Sequence, residues 1–448
     1  MTQSLEDLSH ALLDAAMKAG AEAADTLVVE GSSISIEVHN GALEHAERAE
    51  GTDLGLRVLI GKRQAIVSAS DHRPETLQAM AERAVAMAKE APEDPFVGLA
   101  DPNQLATDWD VAALELEDPK SEPLPDNLKA DALAAEAAAQ AVQGVSQVQS
   151  AAAGYGAHGV HLAASNGFSA GYRRTSRSLS CVAISGEGTG MERDYDGDSR
   201  VFQSDMREAE EIGRTAGERA VASLNARKPQ TGAYPVLFDE RISSSLIGHL
   251  LSASNGIAIA RGSSWLLDAL GEQVLPEHLS IIEDPHRARA SGSRPFDAEG
   301  LPTHRRAIVE DGMLTGWTTD LSSARKLGME SSGNAARGAG SPPSPSNWNI
   351  ELTQGNKSRA ELLRDMGTGL LVTSMIGSTI NPNTGDYSRG ASGFWVENGE
   401  VTYPVNECTI AGNLRDMLKR IIPANDARTY LSRVVPSLLV EGMTLAGS

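Results

Sequence analysis

The stretch TLVVEGSSISIEVHNGALEHAERA, residues 26–49, alternates apolar and polar side chains on both sides of Asn40-Gly41. A period of two marks half-buried strands, and Asn-Gly between two such runs signals a two-residue hairpin turn, because both turn positions need positive φ. The spacing predicts strands over 26–39 and 42–49. A helical period precedes them over 4–19. A second hairpin follows over 54–60 and 64–68 around Gly61-Lys62-Arg63, and a helix over 74–90 closes the unit.

From about residue 127 the order recurs: helix LKADALAAEAAAQAVQG, strands VSQVQSAAAGYG and GVHLAASNG, a turn at Asn166-Gly167, then FSAGYRRTSRSLSCVAISGEG and a helix over 206–224. Residues 1–92 and 127–226 thus read as two related α-β modules. Residues 93–126, acidic and proline-containing, read as a linker or a surface strap. Beyond Arg227-Lys228-Pro229 the chain becomes glycine-rich and strand-rich over 232–448. There the pattern predicts a strand over 234–238, a helix over 241–255 ended by Gly256, and a hairpin over 306–318 turning at Asp311-Gly312. Further strands are expected over 370–375, 393–397 and 401–405, then a helix over 410–421. Strands and helices are grouped rather than strictly alternating, so the fold class is α+β, two α-β modules followed by a larger β-rich C-terminal domain.

With 448 residues, 41% hydrophobic and 22% charged, the chain has the composition of a soluble globular protein of two or three domains. The longest apolar runs fall short of the ~18 residues that span a bilayer, and MTQSLEDLSHALLDAAMKAG lacks a basic leader, so a cytoplasmic protein without membrane contact is expected. A formal charge of −21 argues against nucleic acid, whose binding relies on lysine and arginine against phosphate. Cys181 and Cys408 are expected to be reduced core residues.

One helix carries a histidine. In SSSLIGHLLSASNG, residues 243–256, Ile242, Leu246, His249, Leu250 and Ala253 share one face of a 100° wheel. A zinc helix needs a second ligand about a turn away and an acid to activate water, yet Ser245 and Ala253 flank His249 at four residues and no acid lies between 242 and 256. The other histidines supply no partner set: His158 and His161 point to opposite faces of a strand, and Asp284-Pro285 separates His278 from His286.

Six ordered blocks then match a known family: SSLIGH (244–249), RGSSWLLDALGEQVLP (261–276), PFDAEGLPT (295–303), SARKLGMESSGNA (323–335), TGDYSRGASGFWVENGEVTYPV (384–405) and ECTIAGNL (407–414). Together they resemble the TldD/PmbA family on its PmbA, or TldE, side. The resemblance implies that the TldD-type subunit carries zinc on an H-E-x-x-G-H motif with a cysteine from near its C-terminus. Laid on that motif, this chain has Ser244 for the first histidine and Ser245 for the glutamate, and keeps Gly248 and His249. No cysteine follows Asn425, and Cys408 lies too early to stand in. The resemblance therefore implies a chain with no metal and no catalytic residue of its own, paired with a TldD-type subunit that supplies zinc and cuts unfolded or extended peptides. Two alternatives follow from the same residues: a self-sufficient homodimeric metallopeptidase, or a non-enzymatic adaptor or modulator.

Asp386, Tyr387, Arg389 and Ser392, in the glycine-flanked TGDYSRGASGFW, join His249 as candidates for contact with substrate or partner. Arg389 is placed either to take a carboxylate or to pair with Asp386, and the same segment offers a strand edge for peptide addition. Ser323 and Lys326 fit S-x-x-K, but the companion motifs of serine acyl enzymes are absent. Residues 333–345 read as a lid or a long surface loop. No phosphate-binding glycine pattern follows a strand, so nucleotides are not implied.

Overall fold

Asn40 and Gly41, with φ of 54° and 72°, turn the first hairpin through the left-handed region as the sequence predicts. From that turn run β1 (Ala23–His39) and β2 (Ala42–Ile60), and β3 (Arg63–Ala69) follows. The structure, a computed structural model, describes residues 4–120 and 122–447. Helices α1 (Leu5–Ala19) and α2 (Pro74–Glu90) flank these strands. Ser4 and Asp7 form a capping box at the start of α1, and Gly20 ends it with φ 103°. The second unit repeats the plan with α3 (Pro125–Gln140), β4 (Val145–Ala164), β5 (Ser169–Ser185), β6 (Glu192–Arg200) and α4 (Ala209–Ala222).

Two strands are longer than the alternation suggests. The expected break between 49 and 54 is absent, because Gly31 and Gly51 pair directly within an antiparallel ladder that runs on from Ala23↔Leu59 to Glu37↔His45. The two segments expected from 145 to 167 are likewise one strand. Strand β6, ERDYDGDSR, escaped the pattern entirely, since its acids look like loop residues. Asp196 takes Arg207 and Arg219 at 2.7 and 2.9 Å, which lets an acidic edge strand persist.

The two modules share one six-stranded sheet, β3-β2-β1-β4-β5-β6, joined where β1 pairs antiparallel with β4. Side chains of one parity meet the helices: Ala24 and Val28 pack with α1 and α2, while Ile34 and Ile36 pack with α3 and α4. The opposite face is covered by residues 93–120 and by the C-terminal domain, through an aromatic cluster of Trp109, Phe168, Tyr172 and Phe296. Val97, Ala100, Ala106, Leu114 and Leu116 are buried, so the acidic segment is a strap laid across the sheet.

In the C-terminal domain β7 (Gly232–Phe238), β8 (Gly369–Ile380), β9 (Asp386–Glu397), β10 (Glu400–Asn413) and β11 (Leu438–Ala446) close into a barrel in the order β10-β9-β8-β7-β11, with β10 meeting β11. This closure corrects the helix expected over 410–421. Ile410 pairs with Arg389 on one side and Leu445 on the other, so ladder bonds hold 408–413 extended and only Leu414–Leu418 is helical. Helix α5 (Glu240–Ala253) buries Leu246, Ile247, Leu250 and Leu251 in the barrel's core cluster. A second sheet of short strands, ordered Met313–Leu314, Arg306–Glu310, Ile281–Glu283, Ile350–Leu352 and Arg433–Val434, lies beside it.

Residues 333–345 are not a free lid. The Arg337 guanidinium ion-pairs with Asp25 in the sheet, Arg57 donates to the same carboxylate from Nε at 2.8 Å, and all three side chains are buried. A Cβ on Gly55 would stand 2.3 Å from the carbonyl oxygen of Ala339, so the loop rests on backbone that only glycine permits. Among the described residues no helix is long and apolar enough to cross a membrane.

Candidate functional site

Helix α5 starts at Asp239, whose carboxylate accepts from the Arg241 backbone N–H at 3.2 Å. The Arg241 side chain bonds the same carboxylate at 3.1 Å and Asp194 of β6 at 3.0 Å. The helix is thereby fixed at once to the barrel and to the N-terminal sheet.

His249 is half-buried on α5, beside the start of β9. Its ring meets that of Tyr387 edge-to-face, 5.9 Å between centroids, and its Nε2 is buried with no hydrogen-bond partner among the described residues. Burial, helped by the nearby Arg389 cation, holds the imidazole below its ordinary pKa, so it is neutral at pH 7. Tyr387 is buried and its hydroxyl donates to Met375 Sδ at 3.3 Å. Burial pushes the phenol up to about 12, against the pull of Arg389, and leaves it a proton donor. Arg389 donates from Nε to the carbonyl of Gly377 at 2.8 Å.

Three of the sequence candidates, His249, Tyr387 and Arg389, therefore converge. Two do not. Asp386 is exposed and turned away toward Thr384 and Asn413, whose hydrogen bonds at 2.6 and 3.1 Å hold its carboxyl below the usual range; it makes no ion pair with Arg389. Ser392 lines a separate cavity of about 410 Å³ with Glu192, Asp194, Ile242, Met375 and Asn406.

The residues set against the zinc motif, Ser244, Ser245, Gly248 and His249, all lie on α5. The Ser245 hydroxyl donates back to the Ile242 carbonyl at 2.7 Å, a local bond that occupies the group. A Cβ on Gly248 would meet Arg433 Nη1 at 3.3 Å, and Arg433 and Ser244 line one cavity. Hydroxyls and a guanidinium thus surround the helix where a divalent ion would need imidazole, thiolate or carboxylate, and a nearby cation would repel it. Among the described residues no group of three or more His, Cys, Asp or Glu could hold a metal ion. The donor set does not fit a zinc site. Cys408 is buried against the Ala391 carbonyl with its thiol pushed up to about 11, and Cys181 lies far off in the N-terminal core.

Beside the histidine wall, β8 offers a strand edge. Residues 370–372 pair with β7, but 374–380 pair only with β9, and among the described residues no other strand covers their outer side. Ile376 there is 78% exposed.

Ser323 and Lys326 carry no acyl-enzyme geometry. Asp320 caps a helix, Leu321–Leu327, and Ser323 inside its first turn completes the capping box, with its hydroxyl donating to the Asp320 carboxylate. His161 is satisfied by Ser9 at 3.0 Å and His286 by Thr303 at 3.1 Å.

Profiles of the PmbA/TldA metallopeptidase match this chain in three parts: domain 1 over residues 24–88, the central domain over 116–224 and the C-terminal domain over 231–447. It is 38% identical over 430 residues to the metalloprotease PmbA of Escherichia coli O157:H7, covering 95% of this chain and 92% of that protein. The chain belongs to the PmbA/TldD family. A PmbA homologue of Haemophilus influenzae is 37% identical, covering 100% of this chain and 97% of the relative. Among solved structures, a Bacteroides thetaiotaomicron protein described as a candidate modulator of DNA gyrase superposes with a TM-score of 0.89 at 29% identity, over 98% of both chains. TldE of Thermococcus kodakarensis shares the fold with a TM-score of 0.85 at 21% identity, over 98% of this chain and 99% of that one. Arg433, which sequence reading missed, joins Ser244 and Gly248 of α5 from a position far along the chain. Its segment RTYLSR (428–433) offered only an unremarked pair of arginines.

Proposed function

We propose that this chain is the PmbA/TldE-type, non-metallated subunit of a cytoplasmic two-chain peptidase, completing a cavity in which extended peptides lie while a TldD-type partner supplies zinc and performs the cut. The observation that carries this reading is the chemistry of α5, where Ser244, Ser245 and Arg433 stand at or beside the motif positions that would need ligands and a general base. A lone neutral imidazole neither binds zinc tightly nor lowers the pKa of its water.

The uncovered edge of β8 supports the peptide part of the reading. Main-chain groups on such an edge bind any extended chain without regard to its side chains. His249 and Arg389 flank it with one acceptor and one cation, the groups needed to fix a peptide N–H and a carbonyl or carboxylate.

The test is metal content and peptidase activity of the purified chain alone and after mixing with a TldD-type subunit. Expected are less than one zinc per ten chains and no cleavage alone, with cleavage on mixing. Cleavage by the isolated chain at the rate of the mixture would overturn the assignment.

A further inference from the structure

A cavity of about 450 Å³ opens where the N-terminal sheet meets the C-terminal domain, and Arg174, Arg200, Arg289, Arg433, Tyr430 and Ser244 form its polar wall. Among the described residues no Asp or Glu lines it, in a chain with 60 acidic and 39 basic residues. Two of the four cations are neutralised from behind. Arg200 pairs with Asp198 at 2.9 Å and stacks on the Tyr430 ring at 3.2 Å; Arg289 pairs with Glu115 and Asp205, each at 3.0 Å.

The other two are not. Arg174 donates its terminal nitrogens to the carbonyls of Ser291 and Ser293 at 3.0 and 2.7 Å, and its Nε is buried without a partner among the described residues. Neither Arg174 nor Arg433 has a carboxylate partner among the described residues. Ser199, Ser244 and Ser432 also face this cavity, and their hydroxyls make no hydrogen bond within the described residues. Leu116, Val201, Ala290 and Leu431 add an apolar side. Uncompensated guanidiniums beside free hydroxyls and an apolar wall make a site for a carboxylate that brings an apolar group with it, since a guanidinium fork matches two carboxylate oxygens.

We propose that this cavity is a carboxylate subsite that takes the C-terminal residue of a peptide, anchored by Arg433 and Arg174 and steered by Ser244 on α5. The inference rests on the peptide reading above and adds to it the end of the peptide that is recognised. Arg433 is exposed and Ser244 half-buried, so both tolerate replacement, whereas Arg174 also holds two backbone carbonyls.

The experiment is calorimetric titration of the full chain with a hexapeptide ending in leucine as the free acid, the same peptide as its C-terminal amide, and inorganic phosphate. The free acid is expected to bind at least tenfold tighter than the amide, and millimolar phosphate not to displace it. Arg433→Gln should lower affinity for the acid about tenfold and leave the amide unchanged. Ser244→Asp, which places a carboxylate inside the cavity, should abolish the preference, with the melting temperature of both variants unchanged. Equal binding of acid and amide, no binding of the acid, an acid affinity unmoved by Arg433→Gln, or displacement by phosphate at the peptide's own concentration would each overturn the proposal. Cleavage by the mixture with a TldD-type subunit is read separately, so it can persist when this preference fails.

Discussion

The imidazole of His249 stands edge-to-face on the ring of Tyr387, 5.9 Å between centroids and 70° between planes, while its Nε2 finds no partner among the described residues. A ring packed against an aromatic neighbour, with a cation nearby, is poorly placed to bind a divalent ion. His249→Phe should therefore keep the fold within about 1 kcal/mol and leave zinc content unchanged. Cleavage in the mixture with a TldD-type subunit should fall severalfold if the imidazole accepts a peptide N–H. Metal analysis and peptide turnover on the same preparation check both.

The same burial predicts a pH dependence. The folded pKa of His249 is depressed below the unfolded 6.5, so its contribution is fully present above 6.5 and is lost as pH falls, when the unfolded chain takes the proton first. Urea unfolding at pH 7.5 and 5.5 should show a smaller acid loss for His249→Phe than for the parent chain.

Glu299 behaves in the opposite sense. Burial, then the charge of Asp297, pushes it up to about 8 from an unfolded 4.5. Its contribution is fully present below 4.5 and is lost as pH rises toward 8, with a slope of up to about 1.4 kcal/mol per pH unit. Glu299→Gln, which keeps an acceptor for the Leu321 N–H, should flatten this fall and make the variant the more stable protein at pH 8.5. Denaturant midpoints across pH 5–8.5 decide it.

Arg57, Asp25 and Arg337 tie the 333–345 loop to the sheet. Removing one charge of a buried set strands the others, so Arg337→Met should cost about 3–5 kcal/mol. Gly55→Ala should be destabilising as well, because its Cβ would strike the Ala339 carbonyl. Thermal unfolding of both variants measures the effect.

The β8 edge gives a last expectation. Ile376→Lys places a charge on an exposed edge position and should disfavour strand addition, lowering peptide cleavage by the mixture severalfold with stability within about 0.5 kcal/mol.

Local sequence determined a great deal here. Alternation on either side of Asn40-Gly41 gave the hairpin, helical periods gave α1 to α5, and the absence of an acid from residues 243–256 was visible in fourteen letters. Tertiary structure decided the rest because it depends on contacts between residues far apart in the chain. Gly31 opposite Gly51 kept β2 unbroken, Asp196 with Arg207 and Arg219 made a strand of an acidic segment, and Leu445 drew Ile410 out of a helix. Arg174 and Arg433 came to one cavity from positions 259 residues apart, by 433 less 174, and no periodicity records such a meeting. Patterning fixes which face of an element is apolar; only packing of those faces fixes which charged groups are left looking at one another.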